Sequence, residues 1–452
     1  MKSKLPGLAA GFILCAILGP TPAGAEKKLI DRNQLAPHWK AALEARSKKD
    51  YDAAIRHLEE ALKIAPRDAV TINGLAALNV RKGDLPQAVA WLEKLADRGL
   101  GFDPEANPVF TPLRERSEYQ ALLRKFAEHE PKVSLSQPMY TIREPDLIPE
   151  GIAWDPVDKV LYVSSMYKHK VVRVDSRGRV RDFTTPGQDG LLEVVGMKVN
   201  AELRHLWVAS GDVPDTPAAP AATFLHQYDL RTGKLLRKYA LPPAEQHFLN
   251  DLDLSPAGEV FVSDSPTGAI YRLRPGAEKL EIFVPAGTFE FPNGAALAGD
   301  GKTLYVATYL GLAAVDVARG TSVYLSHPED AVTTGIDGLY WDKGELLAVQ
   351  NGLGKGRVMR FHLGPSGREV MHAEIIESGN PLFNVPTTLA IAGDDIYYMA
   401  NTQLDALGPD GKLDPNRKLS DVLILMVRSF GCAAIPARAQ GSLRGDCFAV
   451  TY

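Results

Sequence analysis

The chain of 452 residues is 45% hydrophobic and 23% charged, which excludes general disorder and leaves room for one sizeable domain and an accessory one. Its formal net charge of −4 at pH 7 gives no footing for nucleic acid.

At the N-terminus, Lys2 and Lys4 precede an apolar run from Leu8 to Leu18, then Pro20, Pro22 and the small triplet Ala23-Gly24-Ala25. Residues 1–25 therefore read as a cleaved secretory signal, and the protein is expected to be exported, periplasmic or secreted. The run is too short to span a bilayer, so no membrane span is expected in the mature chain; a retained anchor is the alternative. Leu14 stands where a lipoprotein signal needs a small residue before Cys15. Loss of Lys2 and Lys4 leaves 49 basic against 55 acidic side chains, a net charge of −6. The mature chain keeps Cys432 and Cys447. An oxidising compartment would close them into a disulfide worth about 3 kcal/mol of loop entropy; otherwise they remain two free thiols.

From His38 to Phe126 the apolar pattern is helical and repeats. KKDYDAAIRHLEEAL and RKGDLPQAVAWLEKLAD align at an offset of 34, placing Tyr51 on Leu85, Ala54 on Ala88 and Leu58 on Leu92. One further step reaches Tyr119, Leu122 and Phe126. This period, with small residues where helices approach, resembles the tetratricopeptide repeat, and residues 36–130 are expected to form such an α-helical domain. Repeats of this kind bind peptides or partner proteins, or they pack on the neighbouring domain.

After Pro131 the pattern changes to short alternating strands. Glu150, Val195, Asn250, Asn293, Asp337 and Thr387 each open a strand–turn–strand unit, at intervals of 43 to 55 residues. Six units of four strands predict a mainly β domain over residues 134–427, a six-bladed β-propeller. SLSQPMYTI before the first unit and DVLILMV after the last are expected to pair and close the ring. Residues 428–452 show no alternation and read as an irregular tail. Around a common axis the oxygens of Glu150, Asn250, Asn293 and Asp337 would converge, two carboxylates and two carboxamides suited to a hard divalent cation.

The openings PEG, ND, PNG with GDGKTLYVA, and IDG, in that order, resemble the senescence marker protein, gluconolactonase and luciferin-regenerating enzyme family, related to paraoxonase and strictosidine synthase. The resemblance implies a six-bladed propeller with one axial divalent ion, Ca2+ first and Zn2+, Mn2+ or Mg2+ otherwise, polarising a lactone or ester. Carried onto this sequence it makes Glu150, Asn293 and Asp337 metal ligands, and Asn250 a further ligand or a substrate contact. Asp337 is then the general base, with Glu150 the alternative. An ion that merely ties blades together is the competing reading.

Phe248 stands where the sugar-lactone hydrolases of this family carry arginine. With Phe289, Phe291 and Phe383 ahead of other openings, it predicts a cleft mouth suited to apolar or aromatic substrates, unless the rings pack beneath their loops. His247 is a candidate proton relay or a solvated loop histidine, and His205 a structural residue. GxSxG, HExxH and phosphate-binding glycine loops are absent from the sequence. The function expected is thus an exported, metal-dependent hydrolase of a small lactone or ester, with a helical-repeat docking module. A non-catalytic ligand- or protein-binding propeller is the alternative; a strictosidine-synthase-like condensation has less support because it would not use these oxygen ligands.

Overall fold

The computed structural model describes residues 28–212, 222–242, 246–408 and 410–428. The signal segment, the tail beyond Arg428 and both Cys432 and Cys447 lie outside the described residues.

Among the described residues five α-helices come first: α1 (Arg32–Ser47), α2 (Tyr51–Ile64), α3 (Ala69–Lys82), α4 (Leu85–Glu93) and α5 (Ser117–His129). The tetratricopeptide spacing is realised in packing, since Ala54, Ala88, Leu58 and Leu92 are all buried. Asp50 and Asp84, also 34 apart, cap α2 and α4 by accepting the N–H of Ala53 and Gln87. Among the described residues no helix is long and apolar enough to cross a membrane.

The propeller follows. Blade 1 is Ile152–Asp155, Val160–Ser165, Lys170–Asp175 and Val180–Asp182; blade 2 is Glu193–Asn200, His205–Gly211, Thr223–Asp229 and Leu235–Ala240. Blade 3 is Leu249–Leu254, Val260–Asp264, Ala269–Leu273 and Glu281–Val284; blade 4 is Ala295–Leu297, Thr303–Thr308, Gly311–Asp316 and Ser322–Tyr324. Blade 5 is Ile336–Asp342, Glu345–Gln350, Arg357–Leu363 and Val370–Ser378. Blade 6 takes Leu389–Ala392, Asp395–Met399 and Val422–Arg428 from the end of the chain and its outermost strand, Gln137–Ile142, from before blade 1. Gln137 faces Met426 and Ile142 faces Val422, so the ring is closed by the two segments the sequence nominated.

Hydrophobic clusters fill every junction between neighbouring blades, from blades 1 and 2 round to blades 6 and 1. Near the axis the first strands touch through backbone. Gly294 donates its N–H to the Asp337 carbonyl at 2.9 Å, and Gly338 to that of Thr387 at 3.1 Å. A Cβ on Gly294 would lie 2.5 Å from the Asp337 carbonyl oxygen, and one on Gly151 would collide with that of Val195. Glycine is required there by the closeness of neighbouring strands.

The helices pack on the propeller. Leu29–Ile30 pairs antiparallel with His327–Pro328. Beside it the buried Arg32 guanidinium donates to Asp68 at 2.9 and 3.1 Å and to Nε2 of His327 at 3.1 Å. Leu310 shares a cluster with α1, α2 and α3, while Val332 and Leu353 pack with Ile72, Leu95 and Phe102. Trp39 meets Tyr309 edge-on at 6.1 Å, and Asp103 donates its N–H to the Leu353 carbonyl at 2.8 Å. These propeller residues belong to the loops between second and third strands of blades 4 and 5 and to the loop entering the first strand of blade 5. In an antiparallel blade both loop types lie at the end where the first strand begins. The repeats therefore cover part of the same face onto which the strand openings look.

Candidate metal centre

Three of the six openings sit in a β-bulge. Pairing jumps from Val194 to Met197, from Leu249 to Leu252 and from Ile336 to Leu339, each against two residues of the partner strand. Such an extra residue re-aims a side chain that a regular pleat would direct into a blade junction. Asn250 with Asp251, and Asp337 with Gly338, occupy two of these bulges.

Glu150 is held by its backbone. Its N–H and that of Gly151 donate to Ser164 Oγ at 3.2 and 2.6 Å, and its carbonyl accepts from the hydroxyls of Thr387 and Thr388 at 2.7 and 2.5 Å. The side chain is 6% exposed and its Oε2 has no hydrogen-bond partner among the described residues. Burial, followed by the nearby charges of Asp337 and Asp251, pushes its pKa well above the ordinary carboxylate value.

Asp337 accepts from Asn293 Nδ2 on Oδ1 at 2.8 Å and from Asn351 Nδ2 on Oδ2 at 2.6 Å. Burial raises its pKa to about 6, against the opposing pull of the Asn351 and Asn293 hydrogen bonds. Asn250 donates from Nδ2 to Ser265 Oγ at 3.0 Å, and Ser265 donates to the Pro292 carbonyl at 2.7 Å. With their nitrogens so engaged, Asn250 and Asn293 have their amide oxygens available as donors to a cation.

Two residues not singled out in the sequence belong to this group. Asp251, the second member of the ND pair, is 5% exposed, with Oδ2 unpartnered among the described residues and its pKa raised to about 7, chiefly by burial. The pair was legible as a motif, but only the bulge turns both side chains away from the regular alternation. Asn351 follows the second strand of blade 5, and nothing in its sequence context marks it.

The orphaned carboxylate oxygens of Glu150 and Asp251, the carboxylate of Asp337 and the carboxamides of Asn250 and Asn293 are all hard oxygen donors, and the three carboxylates lie close enough to repel one another. That chemistry fits a hard divalent cation such as Ca2+. Among the described residues no three carboxylate, imidazole or thiol side chains close into one metal-binding group, so the fit depends on the carboxamides.

The aromatic expectations divide. Phe289 is 3% exposed within the junction of blades 3 and 4, and Phe383 stands edge-on to Tyr398 at 5.9 Å, so both rings pack beneath their loops. Phe248 is half-buried against the junction of blades 2 and 3, its N–H donating to Asp264 at 2.9 Å. Phe291 is 58% exposed, and Tyr309 and Tyr167, which the sequence did not nominate, are exposed on loops of the same face. His247 is buried rather than solvated, with Nδ1 at 2.6 Å from Asp264. His205 contacts Gln227 of the neighbouring strand at 2.9 Å.

The SMP-30/gluconolactonase/LRE-like region matches residues 148–397, more than half of the chain. The chain belongs to this family. A tetratricopeptide repeat matches residues 45–107. No curated protein matches the chain. Among solved structures, a gluconolactonase from Xanthomonas campestris is similar at 16% identity and a TM-score of 0.43, over 64% of this chain and 87% of that one. A calcium-binding protein, regucalcin, from Agrobacterium tumefaciens is similar at 17% identity and a TM-score of 0.45, over 66% of this chain and 97% of that one. A luciferin-regenerating enzyme is similar at 16% identity and a TM-score of 0.45, over 66% of this chain and 96% of that one.

Proposed function

We propose that this protein is an exported, divalent-metal-dependent hydrolase of a small lactone or ester. Membership of a family that includes gluconolactonase supports the reaction class. The observation that carries the metal dependence is Glu150, a buried carboxylate with an unpartnered oxygen facing further negative charge. A carboxylate so placed is costly unless it is protonated or a cation lies beside it.

Glu150, Asp337 and the amide oxygens of Asn250 and Asn293 would hold the ion, Ca2+ by the hardness of the donors, with Asp251 adding charge. When bound, the ion supplies Lewis-acid stabilisation of negative charge on a carbonyl oxygen. Asp337 would serve as the general base, its carboxylate accepting a proton from the attacking water. Asn293 and Asn351 fix the plane of that carboxylate, and Glu150 is the alternative base. The exposed rings of Phe291, Tyr309 and Tyr167 give the mouth an apolar rim for an alkyl or aryl part of the substrate.

A ligand-binding propeller without catalysis is the second reading. It is favoured by the engagement of both Asp337 oxygens with carboxamide donors. Elemental analysis of the purified protein, followed by a panel of lactones and aryl esters with and without chelator, separates the two. Chelator-sensitive turnover supports the hydrolase; bound metal without turnover supports the binder.

A further inference from the structure

Where the repeats meet blade 5 they enclose a cavity of about 180 Å3. Asn73 on α3, with Phe102, Asp103 and Asn107 from the segment after α4, lines it from the helical side; Asn351 and Leu353 line it from the propeller. Asn351 uses its amide donors on Asp337, at 2.6 Å, and on the Pro386 carbonyl, at 3.0 Å. Asn351 thus links the lining of the cavity to Asp337.

Its chemistry is polar and not cationic. The Asn73 side chain is half-buried within α3 and has no hydrogen-bond partner among the described residues. Among the described residues no lysine or arginine lines the space, and Asp103 disfavours an anion there. An unpartnered carboxamide offers both a donor and an acceptor, which suits an uncharged hydroxyl or secondary amide.

We propose that the helical repeats complete the substrate pocket, Asn73 reading a hydroxyl or amide group carried a few bonds from the ester carbonyl. The carbonyl itself would sit at the axial site, so this proposal rests on the hydrolase reading for what the polar arm is attached to. The repeats then act as a specificity wall within the same chain. The junction that holds this wall is built: a strand pair, a buried arginine–aspartate–histidine contact and shared apolar clusters.

The test uses the full mature chain loaded with Ca2+ and two lactones of the same shape, α-acetamido-γ-butyrolactone and α-isobutyl-γ-butyrolactone. The wild type is expected to prefer the amide-bearing lactone, and Asn73→Leu to lower that preference in kcat/KM by about three- to tenfold, through KM, as loss of one neutral hydrogen bond does. A preference unchanged by Asn73→Leu, or absent in the wild type, overturns the proposal. If neither lactone is hydrolysed, the hydrolase reading fails separately, and calorimetry with the two corresponding lactams decides. Tighter binding of the amide-bearing lactam, lost in Asn73→Leu, supports the polar subsite; equal binding of both, or no binding, overturns it.

Discussion

Asn351 donates from Nδ2 to Oδ2 of Asp337 at 2.6 Å, tying a loop under the helical repeats to a carboxylate on the propeller axis. The contact fixes the orientation of Asp337 and opposes the effect of burial on its pKa. Residues that orient a metal ligand commonly matter to affinity by 10- to 100-fold, so Asn351→Leu is expected to weaken Ca2+ binding by about tenfold or more. Calorimetric titration of chelator-treated protein checks this; unchanged affinity would show that Asn351 does not position a metal ligand.

The purified protein is expected to carry about one divalent ion per chain, and calcium to raise its Tm, because a ligand bound only to the native state stabilises it. Glu150→Gln keeps the shape but removes the charge, and is expected to lower metal affinity while raising the Tm of the metal-free protein, whose buried carboxylate is unpaired. A metal-free wild type as stable as the variant would show that Glu150 is not under that strain.

Asp337→Asn is expected to abolish most ester hydrolysis by removing both a ligand and the base, with far-UV circular dichroism unchanged. Hydrolysis retained at the wild-type rate would transfer the base role to Glu150 or Asp251.

The repeat–propeller junction should loosen in acid. Arg32 is only a donor, so His327 Nε2 at 3.1 Å must be an acceptor, and Nδ1 contacts the Pro328 carbonyl at 3.0 Å; the ring is therefore neutral in the native state. Burial, and then the charge of Arg32, lower its pKa from 6.5 to about 4. The unfolded chain binds a proton as pH falls below 6.5 and the folded chain does not. Stability present above that pH is thus lost down to about pH 4, by up to roughly 3 kcal/mol. His327→Gln retains a side-chain acceptor without titrating, and its Tm should fall less between pH 7 and pH 4.5. Equal falls would locate the acid sensitivity elsewhere.

Gly151→Ala sets a methyl group against the Val195 carbonyl oxygen, backbone that cannot swing aside. Overpacking of this kind costs about 1–3 kcal/mol, and a drop of several degrees in Tm is the expected outcome. A variant with the wild-type Tm would mean that the first strands can spread.

By itself the sequence determined the elements and their order. The 34-residue spacing of Ala54 with Ala88 and Leu58 with Leu92 is an intrahelical and neighbour-helix constraint, so it is written locally. The blade period and the closing strand pair Gln137–Ile142 with Val422–Arg428 follow from alternation and turn chemistry, which are equally local. The four oxygen-bearing openings were legible because each repeats at one position of one motif. Only the tertiary structure decided what surrounds them. The bulges that turn Asn250 with Asp251 and Asp337 with Gly338 depend on a partner strand, and Asn351 reaches Asp337 from the end of the neighbouring strand. Phe289 and Phe291, two residues apart, were read alike, yet one is buried in a blade junction and the other exposed, because side chains near a strand entry are sorted by the neighbouring blade. The seating of the repeats over the axial face rests on Arg32 meeting His327, residues 295 positions apart. Contact at that separation leaves no periodic mark in a single sequence, since nothing local requires it.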